Sequence, residues 1–252
     1  MNTRSVSFSV AIALAGGAAA VQALPLGDRA SVELFAGGNA GVPGSFSDGS
    51  TRLQGTSGGD IAFDRVRFGD AYDNRYTGGA ELDYAFDSHV SGFARASYAQ
   101  FNGQKREVGA LFGDAGRVPI DARFEDNDAR QLDLGARYTF APEAHVRPFI
   151  GVALGASDLS ATRAMVDNPA AGGATRVELA KGGTVFEQRL ETGVQFSPLD
   201  HFDIRLTAAA SHLGGQKASD DPNLALLGVA PSHSTVGARW EYPAELGAVW
   251  HF

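Results

Sequence analysis

The sequence predicts an all-β protein: a closed, antiparallel, up-and-down transmembrane β-barrel of 8 strands. Three observations carry this prediction. Segments of about ten residues alternate apolar and polar side chains, the links between them are alternately short and long, and a phenylalanine recurs at a nearly constant interval. Each of these features is typical of strands that place lipid on one face and a polar interior on the other.

The composition excludes several classes of protein. The 252 residues are 44% hydrophobic and 20% charged, which is typical of an ordered chain. A net charge of -8 argues against a nucleic-acid partner, because binding to a phosphate backbone depends on an excess of Lys and Arg. The absence of Cys excludes disulfides and thiolate metal sites. We expect no cofactor and no dedicated metal site.

The first residues predict a secretory signal. Arg4 precedes an uncharged, mostly apolar stretch over residues 6–20, and Val21, Gln22 and Ala23 place small residues where a signal peptidase cleaves. The alternative is a membrane helix over residues 5–24, which Gln22 and two serines weaken. We therefore interpret residues 1–23 as a cleaved signal peptide and residues 24–252 as the barrel domain. Beyond residue 24 no uncharged apolar run is long enough for a membrane helix, so any crossing must be made by strands.

The alternation is clear in residues 76–86. Leu82 and Tyr84 share one face with the other even-numbered residues, whereas Glu81 and Asp83 share the opposite face. The same division recurs in eight segments, over residues 30–38, 76–86, 90–101, 132–140, 146–156, 184–196, 202–213 and 236–252.

In all eight segments the even-numbered positions form the apolar face, and the charges lie on the odd face. The strands of a soluble β-sandwich also alternate apolar and polar residues, but the apolar faces of its two sheets must interlock through large side chains. The even faces here carry small side chains at positions such as Ala94 and Ala208. A closed barrel places the odd face in the lumen. The predicted lumen charges are Glu33, Glu81, Asp83, Arg95, Asp133, Arg137, Arg147, Glu187, Arg189, Glu191, Asp203, Arg205, Arg239, Glu241 and Glu245.

Two features leave the strand count open. The first long connection, residues 39–75, contains an apolar stretch at 61–68 that would make a further short strand, so a barrel of 10 strands stays an alternative. Pro243 interrupts the last segment, yet the parity is the same on both sides of it, which indicates one strand with a local kink.

The connections predict which end of the barrel faces which compartment. Residues 87–89, 141–145 and 197–201 form short links, and the other connections are long loops, as in outer-membrane barrels with short periplasmic turns. Strands that lead into a short link, and the last strand, end in phenylalanines 54, 56 and 56 residues apart (86 to 140, 140 to 196, 196 to 252). We predict one interfacial girdle from Phe86, Phe140, Phe196, Phe202, Trp250 and Phe252, and an opposite girdle from Tyr76, Tyr98 and Trp240.

Two segments and the signal peptide carry a resemblance to a known family. Residues 146–155, VRPFIGVALG, contain an arginine, a proline and an aromatic residue followed by alternating glycines. Residues 246–252, LGAVWHF, alternate apolar residues and end in an aromatic residue. The chain resembles the small eight-stranded outer-membrane barrels of the OmpA-transmembrane-domain and OmpX type.

This resemblance implies a location and partners. We expect the outer membrane of a Gram-negative bacterium, with outer-membrane lipid and lipopolysaccharide around the barrel. Trp250 and Phe252 resemble the terminal signal that the barrel-assembly machinery recognises.

The predicted lumen is too narrow for an open pore, since eight strands enclose a space that side chains fill. We expect a structural ion-pair network there, with function in the long loops, which would bind an external ligand or a host surface. A narrow porin-like channel for small solutes or ions is the alternative. Acidic loop residues would either be merely solvated or hold divalent cations that bridge to lipopolysaccharide: Asp70, Asp73, Glu125, Asp126, Asp128, Asp220 and Asp221.

An outer-membrane lipid hydrolase is the third possibility. Two histidines, His212 and His233, each have an adjacent serine. In the lipid A deacylase pattern a serine follows its histidine by two positions, whereas the chain has Gly214 and Thr235 there. We therefore predict that the protein is not an enzyme and has no catalytic residues.

Overall fold

The computed structural model describes residues 27, 29–39, 44, 52–54, 60–113, 116–168, 173–223 and 237–252. The proposed signal peptide lies outside these residues and stays a prediction. No helix among them is long and apolar enough to cross a membrane. The described chain forms one short helix, α1 (Phe68–Ala71), and fifteen strands: β1 (Ala30–Asn39), β2 (Arg52–Gln54), β3 (Asp60–Phe63), β4 (Tyr72–Ala85), β5 (Val90–Gly103), β6 (Lys105–Gly113), β7 (Gly116–Phe124), β8 (Asn127–Thr139), β9 (Val146–Leu159), β10 (Thr162–Asn168), β11 (Gly173–Ala180), β12 (Gly183–Leu199), β13 (Phe202–Leu213), β14 (Arg239–Glu241) and β15 (Pro243–His251).

The barrel is antiparallel and has eight strand positions, which we call walls. Seven walls are single strands, and the eighth is β14 followed by β15. They run in the order β1, β4, β5, β8, β9, β12, β13 and then β14 with β15, and β15 pairs again with β1. Val32 of β1, for example, lies opposite Leu82 on one side and Trp250 on the other. Closure gives every wall a hydrogen-bonded neighbour on each side, as a membrane-spanning sheet requires. The predicted barrel of 8 strands is confirmed.

The eight predicted segments coincide with these walls to within a few residues, and the short links lie together at one end. Of the stretch predicted as an additional strand, residues 61–68, only the first part is a strand, β3, and Phe68 begins α1. Because β3 pairs with β6 outside the barrel, a barrel of 10 strands is not formed. The predicted kink is present. Tyr242 separates β14 from β15, and its N–H donates to Asn39 Oδ1 at 2.8 Å. Pro243 begins β15 and faces inward opposite Asn39.

The first short turn shows how such a link is held. Asp87 Oδ1 accepts the backbone N–H groups of His89 at 2.7 Å and Val90 at 2.8 Å. These hydrogen bonds, of which the one from His89 has the larger effect, lower the pKa of the Asp87 carboxyl because they favour its charged form. The side chain thereby replaces backbone partners in a turn too short to supply them.

A second sheet stands on the opposite end of the barrel, and its extent was not predicted. It runs in the order β11, β10, β7, β6, β3, β2. One or two residues separate β5 from β6, β7 from β8, β9 from β10 and β11 from β12, so four barrel walls continue directly into it. The interpretation of these connections as loops was wrong. Register shifts between Glu107 and Gly109 and between Thr162 and Arg163 interrupt the alternation in two of these strand pairs, so the period of two is harder to recognise there.

The main apolar core lies between this outer sheet and the end of the barrel. It is built from the inward faces of both, together with α1, and is not part of the lipid-facing surface. Its buried members are Val66, Phe68, Ala71, Tyr72, Ala99, Phe101, Val108, Ile120, Ala122, Phe124, Ala129, Leu159, Ala164, Val166, Val177, Ala180 and Leu213. We call this cluster the outer core.

Candidate functional site

The lumen of the barrel holds all fifteen predicted charges. Fourteen of them are buried, and the side chain of Arg147 is 22% exposed. Outward neighbours on the same strands are exposed, for example Leu134 at 66% and Leu154 at 60%. The odd-numbered face of every wall therefore points inward, because side chains alternate along a strand.

Six of these side chains form a closed ring of alternating charge, which we call the ion-pair ring. Arg95 contacts Glu245 at 2.6 Å and Glu81 at 3.6 Å. Glu81 contacts Arg137 at 2.9 Å. The ring closes through Glu191, which lies 2.6 Å from Arg137 and 3.1 Å from Arg189, and through the 2.7 Å contact of Arg189 with Glu245.

Arg205 extends the ion-pair ring, because its guanidinium contacts three carboxylates. Its guanidinium lies 2.7 Å from Glu81 and 3.1 Å from Asp83, and it also pairs with Glu33. Asp83 in turn contacts Arg137 at 2.7 Å. Buried charges are costly unless they are paired and hydrogen-bonded, and here each arginine of the ring has at least two carboxylate partners.

Glu33, Glu81 and Asp83 each place a carboxylate oxygen within 4.8 Å of the other two, close enough for all three to contact one metal ion. The guanidinium of Arg205 already occupies the space between them. An arginine therefore supplies the positive charge at this cluster.

The sequence analysis missed the aromatic rings that support the arginines. Arg95 Cζ lies 3.6 Å from the ring centre of Phe35, and Arg137 Cζ lies 4.6 Å from that of Phe93 and 4.8 Å from that of Phe149. Such contacts favour a desolvated cation. These three phenylalanines occupy odd positions, so the parity that located the charges would also have located them.

Asp133 and Glu187 are buried in the lumen but lie outside the ring. Asp133 stands opposite Arg95 in the strand register, and its Oδ1 accepts no hydrogen bond from the described residues. Glu187 stands opposite Gly155. The structure thus brings most, but not all, of the predicted lumen charges into one network.

A separate cluster lies near the end that carries the short turns. Asp203 contacts Arg147 at 2.5 Å and His251 at 2.6 Å, and it also accepts a hydrogen bond from Gln195. Arg147 also donates to Ser197 Oγ. The predicted charges Arg147 and Asp203 therefore meet each other here and not the ion-pair ring.

At the opposite end, Arg239 marks the boundary between the charged lumen and the outer core. It donates to Glu241 at 3.0 Å, and its guanidinium lies 4.8 Å from the ring centre of Phe68 and 5.6 Å from that of Phe101. Phe68 belongs to α1, which the outer sheet and the barrel end enclose. Above the charges, the lumen ends in packed apolar side chains.

Among the described residues, the acids of the outer connections form no group of three that could hold a metal ion. Glu125 pairs with Arg176 through two hydrogen bonds of 2.7 and 2.6 Å, and Asp220 pairs with Lys181 at 2.6 Å. The Arg176 hydrogen bond lowers the pKa of Glu125, and that of Lys181 lowers the pKa of Asp220. Glu125 and Asp220 are thus neutralised by neighbouring bases, whereas Asp126 and Asp221 accept backbone N–H groups, from Gly103 and Glu178 respectively.

The two histidine–serine pairs differ in what can be said of them. Ser211 is buried in the lumen, whereas His212 lies on the outer face against Trp240, with ring centres 5.0 Å apart. The barrel wall therefore separates this serine from this histidine. His233 and Ser234 lie outside the described residues.

The nine predicted girdle aromatics all lie on the outer face. Eight are exposed, from 37% for Phe252 to 61% for Tyr76, and Phe202 is half-buried against Trp250, with ring centres 5.5 Å apart. Their role as interfacial anchors, and the role of Trp250 and Phe252 in assembly, stay predictions.

Comparisons with solved structures return small outer-membrane barrels. Neisserial surface protein A is 13% identical, with a TM-score of 0.45, and the match covers 88% of this chain and 97% of that one. OprG from Pseudomonas aeruginosa is 14% identical, with a TM-score of 0.39, over 90% of this chain and 99% of that one. Ail of Yersinia pestis is 16% identical, with a TM-score of 0.39, over 88% and 97%.

No curated protein sequence matches this chain significantly. A family description does match, as "Outer membrane protein beta-barrel domain", over residues 9–231. The chain thus lies in the outer membrane of a Gram-negative bacterium, surrounded by its lipid and lipopolysaccharide. It belongs to the outer membrane protein beta-barrel domain family.

Proposed function

We propose that this protein is a non-conducting, non-enzymatic barrel that displays its outer sheet at the cell surface for interaction with an external ligand or a host surface. The observation that carries this proposal is that the lumen is blocked at two levels. The ion-pair ring spans the middle of the barrel, and the outer core fills its outer end. A solute would have to break paired buried charges and then cross packed apolar side chains.

The outer sheet offers a surface suited to binding. At the far end of the β6–β7 hairpin, beyond the outer core, Phe112 is 41% exposed and Val118 is 38% exposed. Exposed large apolar side chains on a rigid projecting hairpin are typical of an interaction site. Because four barrel walls continue into this sheet, the hairpin is held on a scaffold and not on a flexible loop.

A narrow channel is the second candidate, and one carboxylate oxygen of Asp133 favours it. Asp133 has a buried carboxylate oxygen that accepts no hydrogen bond from the described residues, and such an oxygen could contact a passing cation or water. Planar-bilayer recordings separate the two candidates. We expect no steady single-channel steps from the purified barrel, and regular ohmic steps would overturn the non-conducting proposal.

The interaction role has its own test. Bacteria that display the protein are compared for binding to host cells and to immobilised lipopolysaccharide, with Phe112→Ser as the test variant and the exposed Ala174→Ser on β11 as the control. We expect Phe112→Ser to reduce binding and Ala174→Ser to leave it unchanged. Equal binding by all three forms, at equal surface levels, would contradict a role for the hairpin.

For biogenesis we propose that the end of β15 contacts the barrel-assembly machinery through Trp250 and Phe252. Both rings are exposed on the outer face, where an assembly partner has access. Replacing Phe252 by Ser should lower the amount of heat-modifiable protein in outer membranes. An unchanged amount would contradict the proposal.

A further inference from the structure

The outer wall of the barrel carries a groove of about 670 Å³ below the outer sheet, across β4, β5, β8, β9 and β12. Its floor is formed by small residues, Gly78, Ala96 and Ala156, and Tyr98 and Leu132 stand beside them. Tyr98 is 48% exposed and Leu132 is 62% exposed. The lining is mainly apolar, which suits an acyl chain lying along the wall.

A polar row borders this groove on the side of the outer sheet. Tyr98, Arg130, Asp158 and Thr184 are successive partners in the strand register, so they form one line across four walls. Two residues farther along the same strands, away from the outer sheet, the outer face carries Ala96, Leu132 and Ala156. The groove is therefore polar next to the outer sheet and apolar farther from it. This order matches the polar headgroup and apolar acyl chains of a membrane lipid.

Arg130 is the exceptional member of this row. Among the described residues, it is the one arginine or lysine on the outward face of the eight barrel walls. It is exposed, and no carboxylate in the described ranges forms an ion pair with it, although Asp158 lies opposite it in the register. A guanidinium at the lipid boundary is best satisfied by a phosphate, which it can bind with two parallel hydrogen bonds.

We propose that this groove binds one phosphorylated, acylated glycolipid of the outer leaflet, that is, lipid A. Arg130 binds a phosphate of the glycolipid. The carboxylate of Asp158 and the hydroxyl of Thr184 accept hydrogen bonds from sugar hydroxyl or amide groups, and an acyl chain lies over Ala96 and Ala156 beside Leu132. This site is independent of any external ligand of the outer sheet.

The charge pattern favours a glycolipid phosphate over a second copy of the chain. A symmetric barrel pair whose two-fold axis passes at Arg130 would bring the two Arg130 side chains toward each other, whereas a phosphate neutralises the charge of Arg130. A self-associating barrel is therefore an outcome of the test and not the proposal.

The test is native mass spectrometry of the purified full chain exchanged into detergent with bis-phosphorylated, hexa-acylated lipid A. Arg130→Gln removes the phosphate contact, and Ala156→Phe fills the floor of the groove. The matched controls are Arg123→Gln, at an exposed base of β7, and Ala208→Phe, at an exposed small residue on β13 across the barrel. Heat-modifiable migration shows that each variant is folded.

We expect wild type and both controls to retain one lipid A, and Arg130→Gln and Ala156→Phe to retain it about tenfold less. Dephosphorylated lipid A should bind wild type as weakly as lipid A binds Arg130→Gln. Equal retention by the folded variants, equal retention of phosphatidylethanolamine, or a dimer that replaces the lipid adduct would each overturn the proposal.

Discussion

The ring of Phe93 on β5 lies over Gly135 on β8, and a Cβ added to Gly135 would stand 2.3 Å from Phe93 Cζ. The same relationship recurs twice around the barrel. Added Cβ atoms at Gly79 and Gly193 would stand 2.6 Å from the rings of Phe35 and Phe149, their register partners. Inward-facing glycines therefore make room for the phenylalanines that support the lumen arginines.

Gly135→Ala should destabilise the barrel by about 1–3 kcal/mol, because the methyl group overpacks against Phe93 and the backbone of β9. Urea unfolding in detergent micelles measures the change. Gly78→Ala is the matched control: its Cβ would point outward and meet its nearest atom at 3.5 Å. It should change the free energy of unfolding by no more than about 0.5 kcal/mol, and an equal loss in both variants would contradict the account of the lumen glycines.

Arg137→Met tests the ion-pair ring. Its removal leaves Glu81, Asp83 and Glu191 buried with fewer partners, so we expect a loss of about 3–5 kcal/mol in the same unfolding measurement. Arg117→Met removes an exposed pair with Glu107 on the outer sheet and should cost about 1 kcal/mol or less. A small effect of Arg137→Met would mean that its carboxylates are hydrated and the lumen is wet.

Phe124→Ala tests the outer core. Phe124 is 3% exposed and lies 6.0 Å from Tyr72 between ring centres, so its truncation should destabilise the outer sheet by about 3–5 kcal/mol. The barrel walls have their own closed ladder, so heat-modifiable migration should persist while trypsin cleaves at Lys105 or Lys181 faster than in wild type. Unchanged cleavage would show that the outer sheet does not depend on this core.

The pair of Glu125 and Arg176 predicts a local pH dependence. Because Arg176 lowers the pKa of Glu125, the pair contributes stability above the carboxyl's unfolded pKa and loses it as pH falls through the lowered folded pKa. An NMR titration of the Glu125 carboxyl should show its pKa rise in Arg176→Gln. Lys105→Gln, which removes a different exposed base, should leave it unchanged, and an identical titration in all three proteins would refute the pairing.

The barrel was predictable because each of its strands shows the alternation of apolar and polar residues within a single segment of the sequence. A membrane wall repeats every two residues over ten or more positions, and Glu81 or Arg137 shows its direction by parity alone. The outer sheet was not predictable in the same way. Its strands are short, a register shift follows Glu107, and their burial depends on contacts with distant residues such as Leu213.

Within the lumen, position was predictable but partnership was not. The sequence placed Asp203 and Glu191 on one face, yet only the strand register and the height of each residue assign Asp203 to Arg147 and Glu191 to the ion-pair ring. Such pairings depend on how eight walls are staggered around the barrel, which no single segment encodes.

Site-directed spin labelling tests the central claim most directly, because the chain has no Cys and each variant carries one label. Labels at Leu134→Cys and Leu154→Cys should collide readily with oxygen dissolved in the bilayer and hardly at all with a water-soluble nickel chelate. Labels at Gln131→Cys and Ser157→Cys, which are inward and buried, should show low accessibility to oxygen. High oxygen accessibility at the odd positions, or none at the even ones, would contradict a barrel with charged side chains inside and apolar side chains in lipid.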